Sequence, residues 1–369
     1  MKTKLTVAQR QALLKWFCLI LSAILFVSAL AAIPHLAAML PKMTGQAAAL
    51  LLPDPEPEES NRPLFPIGSG KFTPTAKDEE EQPDESSEPE SNGEYEPENP
   101  IPEPIPGEGD KPVYPSNLCW YELGETPEMN LLNRTKYSVN LKSFLERDYP
   151  IKTEITDEPL VLIVHTHGTE SYLPAGYEFY NPQDGYRSHD EEKTVVHVGE
   201  VLCKRLKELG INAVHDKTMY DKSDFNQAYV NSRKGIQKAL SEYPSIKYVI
   251  DVHRDSVFDS SGKNIKPLTE INGEKCAQLM LVIGTDQGGA SHPNWRDNLT
   301  FATYLQNEIN GLFPTLMRPI NLRTAAFNQA LTKGSVILEV GSCGNNMTEA
   351  ENAILCFADA YAKLLKDNS

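Results

Sequence analysis

The chain is poor in cysteine, and the cysteines it has are widely spaced. Six occur in 369 residues, and no two of them form a C-x-x-C pair. Zinc sites built on thiolates use such closely spaced pairs. Cys18 lies in an apolar N-terminal run, which leaves an odd number for the rest of the chain: Cys119, Cys203, Cys276, Cys343 and Cys356. The spacing argues against a thiolate zinc site and predicts no particular disulfide.

The chain also lacks an internal repeat and a glycine-rich nucleotide loop. Residues His253-Arg254-Asp255 resemble the catalytic loop of protein kinases, in which an asparagine follows downstream. No asparagine stands at that place, and no glycine-rich loop precedes the motif. A kinase is therefore excluded.

Charged residues are absent from Phe17 to Ile33, and the residues before this run are basic. A run of about 17 apolar residues is just long enough to span a bilayer as a helix. The apolar character continues beyond it, so we expect a retained transmembrane anchor over residues 17–40. A cleaved signal peptide is the alternative, because Ala29-Leu30-Ala31 resembles a cleavage site. The basic residues 1–16 are expected to stay in the cytoplasm, with everything after the anchor exported.

Large apolar residues are scarce between Pro53 and about Pro115, where Pro, Glu, Asp, Ser and Gly dominate. Such a composition cannot form a core. About 18 acidic and 3 basic residues lie between Pro53 and Asp110, so about −15 of the net charge of −16 lies there. Residues 41–116 are therefore predicted to be a juxtamembrane segment and a disordered tether. Since the rest of the chain is nearly neutral, its charge predicts neither a cationic partner nor nucleic-acid binding.

Residues 117–369 suit one extracytoplasmic α/β domain. Apolar runs typical of strands alternate with segments of helical periodicity. This alternation predicts a central, mostly parallel or mixed sheet with helices on both faces. The predicted strands are residues 160–164, 211–215, 247–252, 278–283 and 336–340, and the predicted helices are residues 188–209, 232–240, 296–313 and 349–365.

Three of the predicted strands carry polar groups at or near their ends. His165 and His167 follow the run Val161–Val164, while Asp251 and His253 lie in a second run and Glu339 in a third. A buried strand that delivers polar side chains to the rim of a sheet is a common way to build a metal or catalytic site. Three such strands predict one shared site.

The residue types at these places are those of a catalytic zinc site, which uses three His or carboxylate ligands and leaves a fourth position for water. His167, Glu192 and His253 match such ligands. Glu192 would project from the core-facing side of a helix that a capping box at Ser188–Glu191 opens. Glu339 lies within an apolar strand, where a carboxylate is costly to bury unless it is paired or functional.

Two choices stay open at this point. His165 competes with His167, because both would point to the same side of an extended strand. Asp251 either orients His253 or pairs with an arginine. Each candidate also has a structural interpretation, such as a solvated first-turn carboxylate for Glu192.

Together these motifs resemble the stage II sporulation protein P family of endospore-forming bacteria. The resemblance rests on the basic start, the single anchor, the low-complexity linker and two motifs, His165-Thr-His-Gly-Thr-Glu-Ser-Tyr172 and Asp251-Val-His-Arg-Asp-Ser256. It extends from about residue 117 to the C-terminus through Gly284-Thr-Asp286, His292-Pro-Asn-Trp-Arg-Asp-Asn298 and Ile337-Leu-Glu-Val-Gly-Ser342.

That family is similar to zinc-dependent N-acetylmuramoyl-L-alanine amidases. The resemblance implies His167, Glu192 and His253 as zinc ligands and Glu339 as the catalytic base. The chain departs from the amidases at Val164-His-Thr-His167, where they usually carry Asp-Pro-Gly-His. The remaining polar residues of the motifs become candidates for contacts behind the ligands or with the substrate: His165, Glu170, Asp251, Arg254, Asp255 and His292.

The resemblance also implies a function at the sporulation septum of the mother cell. The implied substrate is peptidoglycan, cut between muramic acid and the stem peptide, with endopeptidase action on cross-links as a further activity. The implied partners are the stage II sporulation proteins D and M during engulfment of the forespore. Two alternatives are a non-catalytic wall-binding scaffold and an exported zinc metallopeptidase.

Overall fold

The computed structural model of the chain describes residues 104–119 and 129–369. The predicted cytoplasmic start, the anchor at residues 17–40 and most of the linker lie outside these residues. In the part that is described, no helix is both long and apolar enough to cross a bilayer.

The described residues form helices and strands that alternate along the chain. The α-helices are α1 (Leu141–Leu145), α2 (Val195–Glu208), α3 (Ala228–Glu242), α4 (Trp295–Leu312) and α5 (Met347–Asp367). The strands are β1 (Lys111–Pro112), β2 (Tyr114–Ser116), β3 (Leu131–Asn133), β4 (Val161–Val164), β5 (Phe179–Tyr180), β6 (Ala213–His215), β7 (Tyr248–Asp255), β8 (Ile265–Ile271), β9 (Glu274–Ala277), β10 (Leu279–Ile283), β11 (Ile320–Leu322) and β12 (Gly334–Ser342).

Seven strands form the central sheet, in the order β3-β11-β10-β12-β7-β4-β6. Neighbouring strands run parallel except β10 and β12, which are antiparallel. The sheet therefore consists of two parallel blocks that run in opposite directions. This architecture confirms the predicted α/β class with a mixed sheet.

The apolar strands explain why helices lie on both faces of the sheet. All four side chains of β4 are fully buried, and they alternate between the two faces. Val161 and Ile163 belong to a core with α2, α4 and α5, whereas Leu162 and Val164 pack with Ile236 of α3. Burying a side chain of this size contributes roughly 1.5–3 kcal/mol. Each layer of helices is thus held by one face of the same strands.

The beginning of α2 differs from the prediction. A short 3-10 turn, Glu191–Lys193, precedes the helix, and Asp190 caps this turn by accepting the Glu192 N–H at 3.3 Å. The helix begins at Val195, where Thr194 Oγ1 accepts the Val196 N–H at 3.3 Å. The predicted capping box at Ser188–Glu191 is wrong, because two separate caps satisfy the N–H groups at these turns.

A smaller sheet, β2-β8-β9, packs beside α5. Lys266 of β8 is almost fully buried, and its Nζ lies 2.6 Å from Glu349 Oε1 of α5 and 2.5 Å from Glu178 Oε2. Strand β1 pairs separately with β5. Both β1 and β2 lie within residues that the composition assigned to the linker.

Candidate functional site

The three strands that carry the candidate residues are neighbours in the sheet. β7 lies between β4 and β12, and all three are parallel. Glu339 of β12 is in register with His253 of β7, and Val164 at the end of β4 is in register with Asp251. Because parallel strands end at the same edge of a sheet, their polar side chains converge there.

His253 lies between two carboxylates. Its Nδ1 is 3.4 Å from Glu170 Oε2, and its Nε2 is 3.1 Å from Asp251 Oδ1. Glu170 Oε2 also accepts the backbone N–H of Arg254 at 3.1 Å. Thr166 fixes Asp251 through its N–H, 2.8 Å from Oδ1, and its hydroxyl, 2.6 Å from Oδ2. The structure therefore supports the interpretation in which Asp251 orients His253.

The charges in this group shift one another's pKa values. Burial alone would lower the pKa of His253, but the two carboxylates raise it well above its usual range. Burial alone would raise the pKa of Glu170, but the hydrogen bond and charge of His253, with Arg254, lower it. The pKa of Asp251 is also lowered, because His253 and Thr166 outweigh the effect of its burial.

His167 joins the same cluster from the turn after β4. Its ring centroid is 5.4 Å from that of His253, and its Nδ1 is 3.6 Å from Asp221 Oδ2. Phe225 stacks on the imidazole with a centroid separation of 4.4 Å. Gly168 permits this arrangement, since a Cβ there would come within 2.8 Å of the Met219 Cα in the loop that carries Asp221.

His165 faces a different environment, so the expectation that both histidines point to the same side is wrong. Strand β4 ends at Val164, and the turn that follows separates the two rings. His165 Nδ1 donates to the Val252 carbonyl at 3.2 Å, and its Nε2 lies 2.8 Å from Nε2 of His215. Burial, together with His215, lowers the pKa of His165 to about 3. His165 is thus a neutral residue beneath α2.

Glu339 is the polar residue that β12 brings to this edge of the sheet. Its side chain is partly accessible, but Oε2 is buried and has no hydrogen-bond partner among the described residues. Burial and the nearby charge of Asp255 raise the pKa of Glu339 to about 8, although His253 acts in the opposite direction. After Glu339 the register between β12 and β7 shifts, and Gly341, with φ of +66°, lies at this shift. A Cβ at Gly341 would meet Asn345 Oδ1 at 2.6 Å. The backbone of β12 therefore bends just after Glu339.

The structure does not bring Glu192 into this cluster. The reason for expecting it there, a place on the core-facing side of a helix, is wrong because Glu192 lies in the 3-10 turn before α2. Its side chain is 78% exposed, and Oε2 is 2.9 Å from His197 Nδ1. Of these two glutamates, Glu170 is the one that lies beside His253.

Three other candidates have mainly structural contacts. The Arg254 guanidinium donates to the carbonyls of Ser171 at 3.1 Å and of Tyr186, so it ties two loop segments to β7. Asp255 Oδ2 is 2.7 Å from a guanidinium nitrogen of Arg318. His292 is buried in the loop before α4, where burial lowers its pKa to about 4.

Sequence reasoning missed Asp221 and Arg187. Asp221 is buried, and it accepts the Thr169 N–H at 3.1 Å and the Thr169 hydroxyl at 2.5 Å. Arg187 donates to Asp221 Oδ2 at 2.6 Å. Both lie in loops of ordinary turn composition, so no periodic pattern marks them.

The donor atoms at this edge suit a metal in their chemistry. His167 Nδ1 and His253 Nε2 are buried without a hydrogen-bond partner, and they face Asp221 and Asp251, so the second nitrogen of each ring would be the one to bind a metal. Imidazole nitrogen and carboxylate oxygen are typical ligands of catalytic zinc. In the described residues no three His, Cys, Asp or Glu side chains are arranged around one common point. The residue types fit zinc, and binding would require their side chains to turn towards it.

Fold and site together define an α/β domain with a histidine–carboxylate cluster at one sheet edge. The sequence model of the stage II sporulation protein P (SpoIIP) family matches residues 55–362, and the chain belongs to this family. Stage II sporulation protein P of Bacillus subtilis (strain 168) is 29% identical over 230 residues, which cover 59% of this chain and 54% of that protein. The match spans about half the length of the curated relative.

Several solved amidase structures are similar to this chain. The CwlD amidase from Clostridioides difficile, solved in complex with the GerS lipoprotein, has a TM-score of 0.34 and 12% identity, covering 56% of this chain and 99% of that chain. An N-acetylmuramoyl-L-alanine amidase from Clostridium difficile 630 has a TM-score of 0.33 and 12% identity, covering 57% of this chain and 97% of that chain. The apo amidase Ami1 from Mycobacterium abscessus has a TM-score of 0.31 and 15% identity, covering 58% and 99%.

Proposed function

We propose that this chain is a zinc-dependent peptidoglycan hydrolase of sporulation that cleaves the amide between N-acetylmuramic acid and L-alanine. The observation that carries the proposal is the meeting of His167, His253 and Glu339 at one sheet edge in a member of this family. Amide hydrolysis needs an activated water molecule and a group that protonates the leaving amine. The cluster has residue types for both tasks.

The proposed zinc ligands are His167, His253 and Glu170. Glu170 takes the place first expected for Glu192, because Glu170 is buried beside His253 whereas Glu192 is exposed. When bound, zinc would lower the pKa of a water molecule and polarise the substrate carbonyl.

Two further carboxylates would hold the histidine rings in place. Asp251, itself fixed by Thr166, faces His253, and Asp221, fixed by Thr169, faces His167. A carboxylate that accepts an imidazole N–H selects the tautomer and the orientation of the ring, and it makes the other nitrogen more basic. His167 Nδ1 and His253 Nε2 form no hydrogen bond in this structure, so this role would require both rings to turn slightly when zinc is bound.

Glu339 is proposed to carry the proton. With a pKa raised to about 8, its carboxylate accepts a proton from water far more readily than an ordinary glutamate does near neutral pH. The protonated Oε2 then donates to the leaving amine nitrogen. Burial of Oε2 without another partner leaves that atom available for the transfer.

The experiment that tests this function is digestion of purified sacculi followed by mass spectrometry. An amidase releases stem peptides that begin with a free L-alanine amine, whereas an endopeptidase cuts cross-links and leaves the stems attached to glycan. We expect free L-alanine termini from the wild type and a rate lower by roughly 10²–10⁴-fold for Glu339→Gln. If wild-type protein with bound zinc adheres to sacculi without releasing peptide, the scaffold alternative replaces this proposal.

The cellular setting is part of the proposal. A single anchor at residues 17–40 would hold the domain outside the mother-cell membrane at the septum, with the N-terminus in the cytoplasm and residues 41–116 as tether. Stage II sporulation proteins D and M are the proposed partners. Protease added to sporulating protoplasts should remove residues 117–369 and spare an N-terminal epitope; protection of the domain would contradict this topology.

A further inference from the structure

Arg187 is a partly exposed residue beside the histidine–carboxylate cluster, and the backbone holds it there. Glu170 and Arg187 form an isolated antiparallel bridge. Next to this bridge the Ser188 N–H donates to the Thr169 carbonyl at 2.8 Å. Main-chain pairing thus sets the place of Arg187 relative to Glu170 independently of its side-chain contacts.

The Arg187 side chain reaches two carboxylates at once. Its NH1 is 2.6 Å from Asp221 Oδ2 and 2.9 Å from Thr169 Oγ1, while its NH2 is 3.8 Å from Glu170 Oε1. The guanidinium carbon lies 4.7 Å from the centroid of the Phe225 ring, which stacks on His167. The flat guanidinium is therefore held on one side by an aromatic ring and along its edge by acids.

These two carboxylates are the ones that face the two histidines. Asp221 Oδ2 lies 3.6 Å from His167 Nδ1, and Glu170 Oε2 lies 3.4 Å from His253 Nδ1. A single cation thus connects both imidazole–carboxylate pairs. Asp221 and Glu170 are 1% and 9% exposed at their side chains, so each needs a charged partner to be stable in its place.

We propose that Arg187 is a positioning residue for the metal site: it fixes the spacing between Asp221 and Glu170 and so orients His167 and Glu170 towards one zinc ion. The proposal rests on the proposed function, because it assigns Arg187 a role towards zinc. A guanidinium suits this task, since its rigid fork of N–H donors binds two acceptors in fixed directions, whereas the ammonium of lysine acts as a point charge. With 41% of its side chain exposed, Arg187 lies on the solvent-facing side of these buried carboxylates.

The test compares zinc affinity of the wild type, Arg187→Met and Arg187→Lys by competition with a chromophoric chelator. Loss of a residue behind the ligands typically weakens metal binding by roughly 10–100-fold, and we expect a loss of that size for Arg187→Met. Arg187→Lys should recover only part of it, because one ammonium cannot hold both carboxylates. The thermal midpoint of the metal-free proteins, measured in parallel, separates a positioning effect from a general loss of stability.

Arg205 provides the matched control, because it also pairs with two acids, Asp359 at 2.8 Å and Glu208 at 3.0 Å, but lies on the outer surface of α2. Arg205→Met should bind zinc as the wild type does. Zinc affinity of Arg187→Met within twofold of the wild type would overturn the role of Arg187. If instead the wild type binds no zinc that depends on His167 and His253, the proposed function itself fails.

Discussion

At the level of single residues, Glu339 and Glu170 show how the same type of side chain acquires opposite pKa shifts within one cluster. Glu170 faces His253 and lies near the positive charge of Arg254, and these outweigh burial and lower its pKa, so it stays ionised. Burial and the charge of Asp255 raise the pKa of Glu339 to about 8. Two acids with separated pKa values suit two tasks, one as a fixed anion and one as a proton carrier.

The raised pKa of Glu339 predicts how stability depends on pH. In the unfolded chain this carboxyl loses its proton near its ordinary pKa, whereas in the folded protein it keeps the proton up to about pH 8. The folded state therefore binds more protons between these values, and its stability falls as pH rises through this window. Removing the ionisable group should remove this loss.

We therefore expect metal-free Glu339→Gln to gain stability relative to the metal-free wild type as pH rises from about 5 to 9. Thermal unfolding in the presence of a chelator measures the difference at each pH. Glu274→Gln, at an exposed position on β9, is the matched control for the substitution. A constant difference between Glu339→Gln and the wild type across the range would contradict the assignment of a raised pKa.

At the level of elements, the sequence was informative wherever a strand or helix was long and apolar. The runs around Val161, Ile250 and Ile337 were predicted as strands and are confirmed, and their order in the sheet explains why their polar ends meet. Apolar patterns could not decide whether Glu170 or Glu192 lies beside His253. Glu170 and Glu192 both lie between β4 and α2, and only the turns at residues 165–170 and 190–194 decide which one faces inward.

The hairpin β8–β9 was missed although the sequence contains its signal. Asn272 and Gly273 have φ of +54° and +87°, the pattern of a tight hairpin turn, and Asn-Gly is the preferred pair for such turns. The hairpin carries Lys266, whose ion pair with Glu349 joins it to α5. Asp221 had no comparable signal, because a single aspartate in a loop has no periodicity.

This turn gives a prediction for the hairpin. Gly273→Ala should lower the free energy of unfolding by about 1–2 kcal/mol, because a side chain at positive φ is strained even though the surrounding space is open. Urea denaturation measures the loss, and hydrogen exchange should locate it in β8 and β9. Gly311→Ala in α4, which also meets no neighbouring atom, should cause no loss. Equal stability of both variants would show that the turn tolerates the strain.

At the level of the whole molecule, the folded domain begins earlier than composition indicates. Val113 is buried although it lies within the acidic, proline-rich region, and its N–H donates to the Glu178 carbonyl at 3.0 Å. The Tyr114 N–H donates to the Asn264 carbonyl at 2.9 Å. Composition averages over many residues, so it cannot detect two short strands whose partners lie far along the chain.

The early strands predict the outcome of truncation. A chain of residues 117–369 should unfold with a free energy about 1–3 kcal/mol lower than a chain of residues 104–369, because it loses the burial of Val113 and the pairing of β1 and β2. Urea denaturation of the two chains checks this. A chain of residues 110–369 retains both strands and should match the longer one. If all three chains unfold alike, β1 and β2 add nothing to stability.

The antiparallel pair β10–β12 has a consequence for how the site can vary. The direction of the sheet reverses at this pair. His253 and Glu339 therefore lie on strands that end at this edge, and His167 follows such a strand. Arg318 precedes β11, which begins at the same edge. Arg318 pairs with Asp255 at 2.7 Å, and both affect the pKa of Glu339. One half of the sheet thus supplies the proposed reacting groups, and the other half adds the cation of Arg318, which lowers the pKa of Glu339. Substitutions in the segment before β11 can therefore move the pH at which Glu339 ionises and leave the proposed ligands in place.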